Sequence, residues 1–340
     1  MYSIRIAGLS LFALALQLTA AAMARADVRE FYSGKQIRVV VGSDVGGGYD
    51  AYARLLAAHL GKHIPGKPNF IVQNMPGAGS LVAVNFVANV APKDGTIIGA
   101  INPATVTAPL FRPDHAKFDP RKFNWLGSPV AVSFVAVVWH TAPVKDFDTL
   151  FQQELLVASS GGASSVLPLL TNGVLGTKFK VVHGYKSSRE AMFALERGEA
   201  GGNGGQTLSN LKAIFGDHLK NEKLRVLVSY DLKPNAELPG IPRVMDYAKT
   251  QEQKDALNLV FSTHSIGWPY MMAGDVPGDR AAAVRKAFET IMQDSEFLAE
   301  ADKRKLDILP VTGGEQAKLV EQIYRTPEKV VARVRDLVGE

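Results

Sequence analysis

No cysteine occurs among the 340 residues, which excludes a disulfide scaffold, a thiol nucleophile, thiolate metal ligation and lipid attachment through cysteine. Stability must therefore come from ordinary apolar packing. No serine stands in a GxSxG elbow and HExxH is absent, so two common signatures of exported hydrolases are missing. Beyond residue 23 there is no long uninterrupted apolar run, and the body of the chain offers no membrane span. Blocks of a single charge are missing as well. The 38 lysines and arginines lie scattered among 33 acids, for a formal net charge of +5, whereas nucleic-acid binders cluster their bases on one face. A weak positive excess would only help a small anion to approach.

What is present begins with a leader. Arg5 precedes an apolar stretch from Ile6 to Met23 that ends in Ala24-Arg25-Ala26, the pattern of a secretory signal peptide cleaved after Ala26. Removing it takes Arg5 and Arg25 with it and lowers the formal charge from +5 to +3. The remaining 314 residues exceed a comfortable single core, so two domains are expected. Strand and helix signals alternate from QIRVVVG (36–42) through a helix to Leu60, NFIVQN (69–74), a helix over 79–90 and TIIGAI (96–101), which describes a βαβαβ unit with a parallel sheet. A β-prone run inside Trp125 to Trp139 enters a second α/β unit, with strands expected at 155–160, 179–185 and 223–230. Another β-prone run at Asn258 to Met272 is followed only by helices, one over 280–301 with Asp279 as N-cap and a last one opened by Thr326-Pro327. Having no new sheet to cover, these should return to the first domain. The expected division is 1–26 leader, 27–128 domain 1, 129–255 domain 2 and 256–340 the return segment, with two crossings between the lobes.

The chemistry concentrates where strands run into helices. VGGGYDAYAR (45–54) lacks the lysine and hydroxyl of a P-loop and places Tyr49 and Asp50 in the decisive positions; the dinucleotide fingerprint also fails, for want of an acid after the next strand. Glycines at such a turn let a ligand approach the backbone, and the free amides of the first helical turn favour a carboxylate. Asn74 to Ser80 and Asn102 to Thr105 follow the next two strands, and Ser159 to Ser165 repeats the device in the second unit. In open α/β sheets ligands bind beyond the carboxyl ends of the strands. No cofactor is expected. His59 and His63 have the spacing of a helical metal pair, yet Gly61 intervenes and no carboxylate stands near in sequence, so no metal site is expected there. Asp50 and Arg54 suggest a helix-stabilising pair, and Trp268 and Tyr270 suggest core or the wall of a cleft.

The string IRVVVGSDVGGGYDAYAR, then VQNMPGAGS, then VAPKDGTIIG resembles the substrate-binding proteins of tripartite tricarboxylate transporters, the Bug-type periplasmic receptors. Echoes continue in ASSGGASS, GYKSSREAMFALERGE, the LPGIP loop and AGDVPGDRAAAVRKAFE. The resemblance implies a two-lobed α/β periplasmic binding protein of the type II, Venus-flytrap class with two crossover strands at the hinge. It implies a non-enzymatic receptor, monomeric and periplasmic, that closes on a small organic acid and hands it to integral membrane permease subunits, with no nucleic-acid partner. A sensory receptor of the same fold and an exported α/β enzyme are the rival readings. Carried over residue by residue, the ligand contacts would be Ser43, Asp44, Gly46, Gly47, Gly48, Tyr49 and Asp50 in the first loop, Ala78 and Gly79 in the second, and Ser159, Gly161, Ala163 and Ser164 in the second lobe. Asn102 and Thr105 join them as the third strand-end loop. The chain departs from the family's PFxPGGGTD turn at Gly42 to Val45 and at Tyr49, from its second-lobe histidine at Leu167, and from its usual acid in the run Gly201 to Gly205. Asp44 would repel a polyanion unless it meets a cationic group.

Overall fold

Residues 27–339 are described by this computed structural model, so the expected leader lies outside the described residues. The chain divides into two units, one made of the described residues through Thr105 with 116–130 and 268–317, the other of 106–115, 131–267 and the chain from Lys318 onward.

In the first unit β1 (Gln36–Val41) buries Ile37, Val39, Val40 and Val41, covering both of its faces as a parallel strand requires. It pairs in parallel with β2 (Asn69–Asn74) and β3 (Ile97–Ala100). The six-stranded sheet is completed by β4 (Asn124–Ser128), β10 (Tyr270–Met272) and β11 (Val311–Thr312), in the order β11-β4-β10-β3-β1-β2. Helix α1 (Gly48–Leu60) turns Tyr52, Leu55, Leu56 and Leu60 inward at helical spacing. The three leucines pack with Val284, Phe288 and Phe297 from two C-terminal helices. The helix expected over 280–301 is in fact two, Gly278–Ile291 and Ser295–Lys303, with Pro277 rather than Asp279 at the first N-cap. Asp294 divides them, because its carboxylate accepts the amides of Glu296 and Phe297 and so starts a new helix.

The second unit holds β5 (Phe134–Trp139), β6 (Leu155–Ala158), β7 (Phe179–Val182), β8 (Gly202–Thr207) and β9 (Leu224–Ser229), in the order β7-β6-β8-β5-β9. Strand β6 is parallel to β7 and β8, whereas β5 runs antiparallel to β8 and β9. No strand is expected over the run Gly201 to Gly205, yet most of it forms the central strand β8. Close packing explains this: a Cβ on Gly204 would meet the Pro168 ring at 2.7 Å, and one on Gly205 would run into the Ala163 carbonyl. Both contacts belong to α2 (Ala163–Leu175), which lies directly on β8. Side chains there would push the helix off the sheet.

Two expectations are corrected here. The β-prone run from Asn258 is helical as far as Ser265, because Thr250 and Gln253 form a capping box and Ala256, Leu257, Val260 and Phe261 make a buried stripe. That helix, Gln251–Ser265, belongs to the second unit, so the boundary falls at 267 and not at 255. The final helix, Glu328–Val338, also belongs to the second unit. Its buried Val330, Val331 and Val334 form one face, and Arg333 donates to Glu252 (2.8 Å) and to the Gly173 carbonyl (2.9 Å). The chain therefore passes between the units five times, not twice. A helix needs an apolar face to cover, and the one available to this helix is on α2 and Gln251–Ser265.

Gly205→Ala should lower stability by about 1–3 kcal/mol, the scale of overpacking. Gly216→Ala, a helical glycine with open space at its Cβ position, should raise it by about 0.5–1 kcal/mol. Urea unfolding of both variants checks the pair, and equal effects would contradict close packing at β8.

Candidate functional site

Because β1, β2 and β3 are mutually parallel, the loops that follow them leave from one edge of the sheet. They are tied together there. The Ser80 hydroxyl, 3 % exposed, donates to the Gly42 carbonyl (2.8 Å) and accepts from the Asn102 amide (3.1 Å), joining all three loops. The second loop is held in an unusual backbone state: Gly77, Ala78, Gly79 and Ser80 all have positive φ, at 137°, 46°, 62° and 78°. For Ala78 and Ser80 this costs on the order of 1 kcal/mol each, a kind of strain that collects at binding sites. It leaves Ala78 and Gly79 exposed.

A second tie holds the first loop. The buried Asp50 carboxylate accepts from the Gly46 amide (2.9 Å), Arg54 Nε (2.9 Å) and Asn74 Nδ2 (3.0 Å), and Asn74 Nδ2 also donates to the Ser43 carbonyl (3.0 Å). The Arg54 guanidinium, helped by the Gly46 amide and Asn74, holds the Asp50 carboxyl down to about 2 despite burial. Gly46 has φ +84° in this turn, and Gly48 lies so close to Trp268 that a Cβ would meet the indole at 2.5 Å. Trp268 stacks on Tyr49 (centroids 4.6 Å, 34°) and meets Tyr52 edge-on (5.2 Å). Burial against this cluster pushes the Tyr49 phenol upward. Gly47 is the N-cap of α1 and brings no capping side chain, which leaves the first-turn amides without a side-chain acceptor.

In the second unit the turn after β6 is organised by hydroxyls. Ser159 Oγ, fully buried, lies 2.8 Å from Ser164 Oγ and 2.6 Å from Ser165 Oγ and accepts from the Gly161 amide (3.0 Å). Ser164 Oγ donates back to the Gly161 carbonyl (2.9 Å). Asn203 on β8 reaches the Ala158 carbonyl (2.9 Å) and accepts from the Gly205 amide (3.0 Å), pinning the end of β6. Gly162 is the N-cap of α2, again without a capping side chain, and Gly161 and Gly162 are exposed with positive φ.

The expected contacts thus separate into two kinds. Ser43, Asp44, Gly46, Gly47, Gly48 and Tyr49 stand together with Ala78, Gly79 and Asn102 on the first unit's loop edge, and Gly161 and Ala163 stand at the start of α2. Asp50, Thr105, Ser159 and Ser164 were expected among ligand contacts, but their side chains are buried and engaged by their own loops; the Thr105 hydroxyl donates to the Asn102 carbonyl (2.6 Å). They shape the loops instead of offering polar atoms outward. Sequence reasoning named the loop Asn74 to Ser80 and the run Gly201 to Gly205 but assigned no role to Ser80, Asn74 or Asn203, and it passed over His183, whose Nδ1 lies 3.5 Å from Ser165 Oγ. Ser80 alone had a signal, as the hydroxyl ending a glycine-rich turn. His59 and His63, with no carboxylate near in sequence, reach Glu300 (2.5 Å) and Asp294 (3.0 Å) in the fold. His59, Asp294 and Glu296 are close enough to hold a cation, but the Lys62 ammonium already bridges both carboxylates, at 3.1 and 2.6 Å.

The Asp50 tie has a pH signature. Its folded pKa lies below the ordinary aspartate value, so its stabilisation is present above about pH 4 and is lost as pH falls towards 2. Asp50→Asn should cost about 1–2 kcal/mol at pH 7, allowing for the exposure of Arg54, and much less near pH 2.5. Denaturation at both pH values tests this; a gap that does not change with pH would remove the ionic character of the tie.

The geometry has known counterparts. A sequence profile described as the tripartite tricarboxylate transporter family receptor matches residues 52–265. An uncharacterised UPF0065 protein encoded in the gbd 5′ region of Cupriavidus necator is 26% identical over 331 residues, covering 90% of this chain and 96% of that protein. Among solved structures, a solute-binding protein from Polaromonas without ligand superposes with a TM-score of 0.71 at 17% identity, over 91% of this chain and 99% of that one. MatC from Rhodopseudomonas palustris with bound malate gives 0.57 at 21% identity, over 87% and 99%. The fold is that of two-lobed periplasmic binding proteins, and the profile covers well over half of the sequence. The chain belongs to the tripartite tricarboxylate transporter family of receptors.

Proposed function

We propose that this receptor captures a small organic carboxylate in the periplasm, closes about its hinge and delivers the ligand to the membrane subunits of a tripartite transporter, without covalent chemistry. The leader through Ala26 would export it and be removed. The observation that carries the reading is the uncapped start of a helix at the carboxyl end of a parallel strand in each unit, at Gly48 and at Ala163. Free amides and the helix dipole favour a carboxylate there. Malate in a relative with the same fold supports the ligand class. In the first unit the contacts would be the amides of Gly47 to Tyr49, since the Gly46 amide is taken by Asp50, with the exposed Ala78 and Gly79 backbone and the Asn102 side chain; in the second, Gly161 and Ala163. Ser159 and Ser164 would act by holding the turn in shape. Among the described residues no helix is long and apolar enough to cross a membrane, so membrane contact would come through the permease.

A thermal-shift screen of mono-, di- and tricarboxylates on the chain from Asp27 should find at least one that stabilises it, by about 2.7 kcal/mol at a hundred times its Kd. Ala163→Pro removes one amide at the first helical position, where proline is well tolerated. It should weaken that ligand about tenfold or more in calorimetry, the scale of a hydrogen bond to a charged group, with little change in melting temperature. Unaltered affinity would take the start of α2 out of the binding surface.

A further inference from the structure

The first unit's loop edge has a charge problem for a carboxylate receptor. Across residues 42–54, 74–80 and 102–105 the charged side chains are Asp44, Asp50 and Arg54. Asp50 is buried and neutralised by Arg54 and its other donors. Asp44 is exposed, and its carboxylate makes no hydrogen bond or ion pair among the described residues of the first unit; the contact recorded there is the Ser43 hydroxyl on its backbone carbonyl, at 3.4 Å. The loop edge therefore presents one uncompensated charge, and it is negative. Asp44 stands three residues before the N-cap of α1 in a turn whose backbone folds back on itself, its main-chain carbonyl oxygen lying 3.8 Å from where a Cβ on Gly47 would be. Both the ligand's carboxylate, if held by the α1 amides, and Asp44 would then occupy one small neighbourhood.

We propose that Asp44 is a specificity residue that selects ligands carrying a cationic group within a few bonds of the carboxylate, the amino-acid class, and discriminates against dianions. The inference rests on the carboxylate reading above. A carboxylate ligand with no other charge meets only the repulsion of Asp44. One with a second carboxylate meets it twice, whereas an ammonium group turns the same charge into an attraction. At an exposed position a single charge within several ångströms of the ligand changes affinity by roughly three- to thirtyfold. Discrimination of this kind needs no pocket for the ammonium, and the aromatic pair Tyr49 and Trp268 beside the loop keeps part of the surroundings dry.

Four acids with the same four-carbon chain test the idea: butyrate, 2-aminobutyrate, 4-aminobutyrate and succinate, titrated calorimetrically into the chain from Asp27 and into its Asp44→Asn and Asp44→Lys variants. At low salt at least one amino acid should bind about tenfold or more tighter than butyrate, and succinate should bind weakest. Asp44→Asn should compress the spread between the acids by about tenfold, and Asp44→Lys should reverse the order of succinate and the amino acids. Matching melting temperatures confirm that the variants are folded. Butyrate or succinate binding as well as the amino acids in the unaltered chain, or equal shifts for all four acids on substitution, would overturn the role of Asp44 while leaving the carboxylate reading in place. Failure of every acid to bind, both here and in the wider carboxylate screen, would overturn both.

Discussion

Parallel pairing of β1 with β2 and β3 is the constraint from which the loop edge follows. Parallel strands cannot be joined by tight turns, so each must be followed by a crossover, and all the crossovers leave from the same edge. Three connections are thereby crowded into one place, where their backbones must find partners or remain open to a ligand. The structure does both. Ser80 consumes the Gly42 carbonyl and the Asn102 amide, and Asp50 consumes the Gly46 amide. The helix start at Gly48 is left without a capping side chain.

The second unit reaches a comparable surface by a different route. Hydroxyls replace the carboxylate: Ser159 gathers Ser164, Ser165 and the Gly161 amide around one buried oxygen. Its sheet supports that turn from below, since glycines at 204 and 205 let α2 sit on β8 and Asn203 fastens the end of β6. In both units buried polar side chains hold a loop whose exposed face is mostly backbone. Exposed backbone of this kind can hold an anion with few side-chain contacts. The family match begins at Tyr52, beyond the glycine turn, so membership does not depend on Asp44 or on the departures around it.

Much of the architecture was legible because local periodicity and packing agree. NFIVQN is a strand over 69–74, as its pattern predicts, and of the apolar face expected from Tyr49, Ala53, Leu56 and Leu60 the last three are buried on α1 and Tyr49 is half-buried. Errors arose where local and tertiary signals conflict. Residues 202 to 205, three glycines and Asn203, have the composition of a turn, and their strand exists because α2 presses against them. The stretch after Asn258 is rich in β-branched and aromatic residues, but the Thr250 capping box and a buried helical stripe decide for helix. The last helix carries a clear apolar face, and its sequence does not say which unit supplies the surface to cover it.

The glycine turn at 46–48 shows the same division. Sequence by itself determined that a strand runs into a helix there and that the turn lacks the lysine and hydroxyl of a P-loop, because these follow from residue types and spacing within a dozen positions. Only the tertiary structure decided that Asp50 and Thr105 point inward, that Ser80 binds three loops together and that Gly48 must be bare beneath Trp268. Those outcomes depend on partners from 3 to 220 residues away in the chain. Side-chain direction is set by which neighbour completes a buried hydrogen bond or fills a gap, and distant neighbours meet only when the sheet has formed.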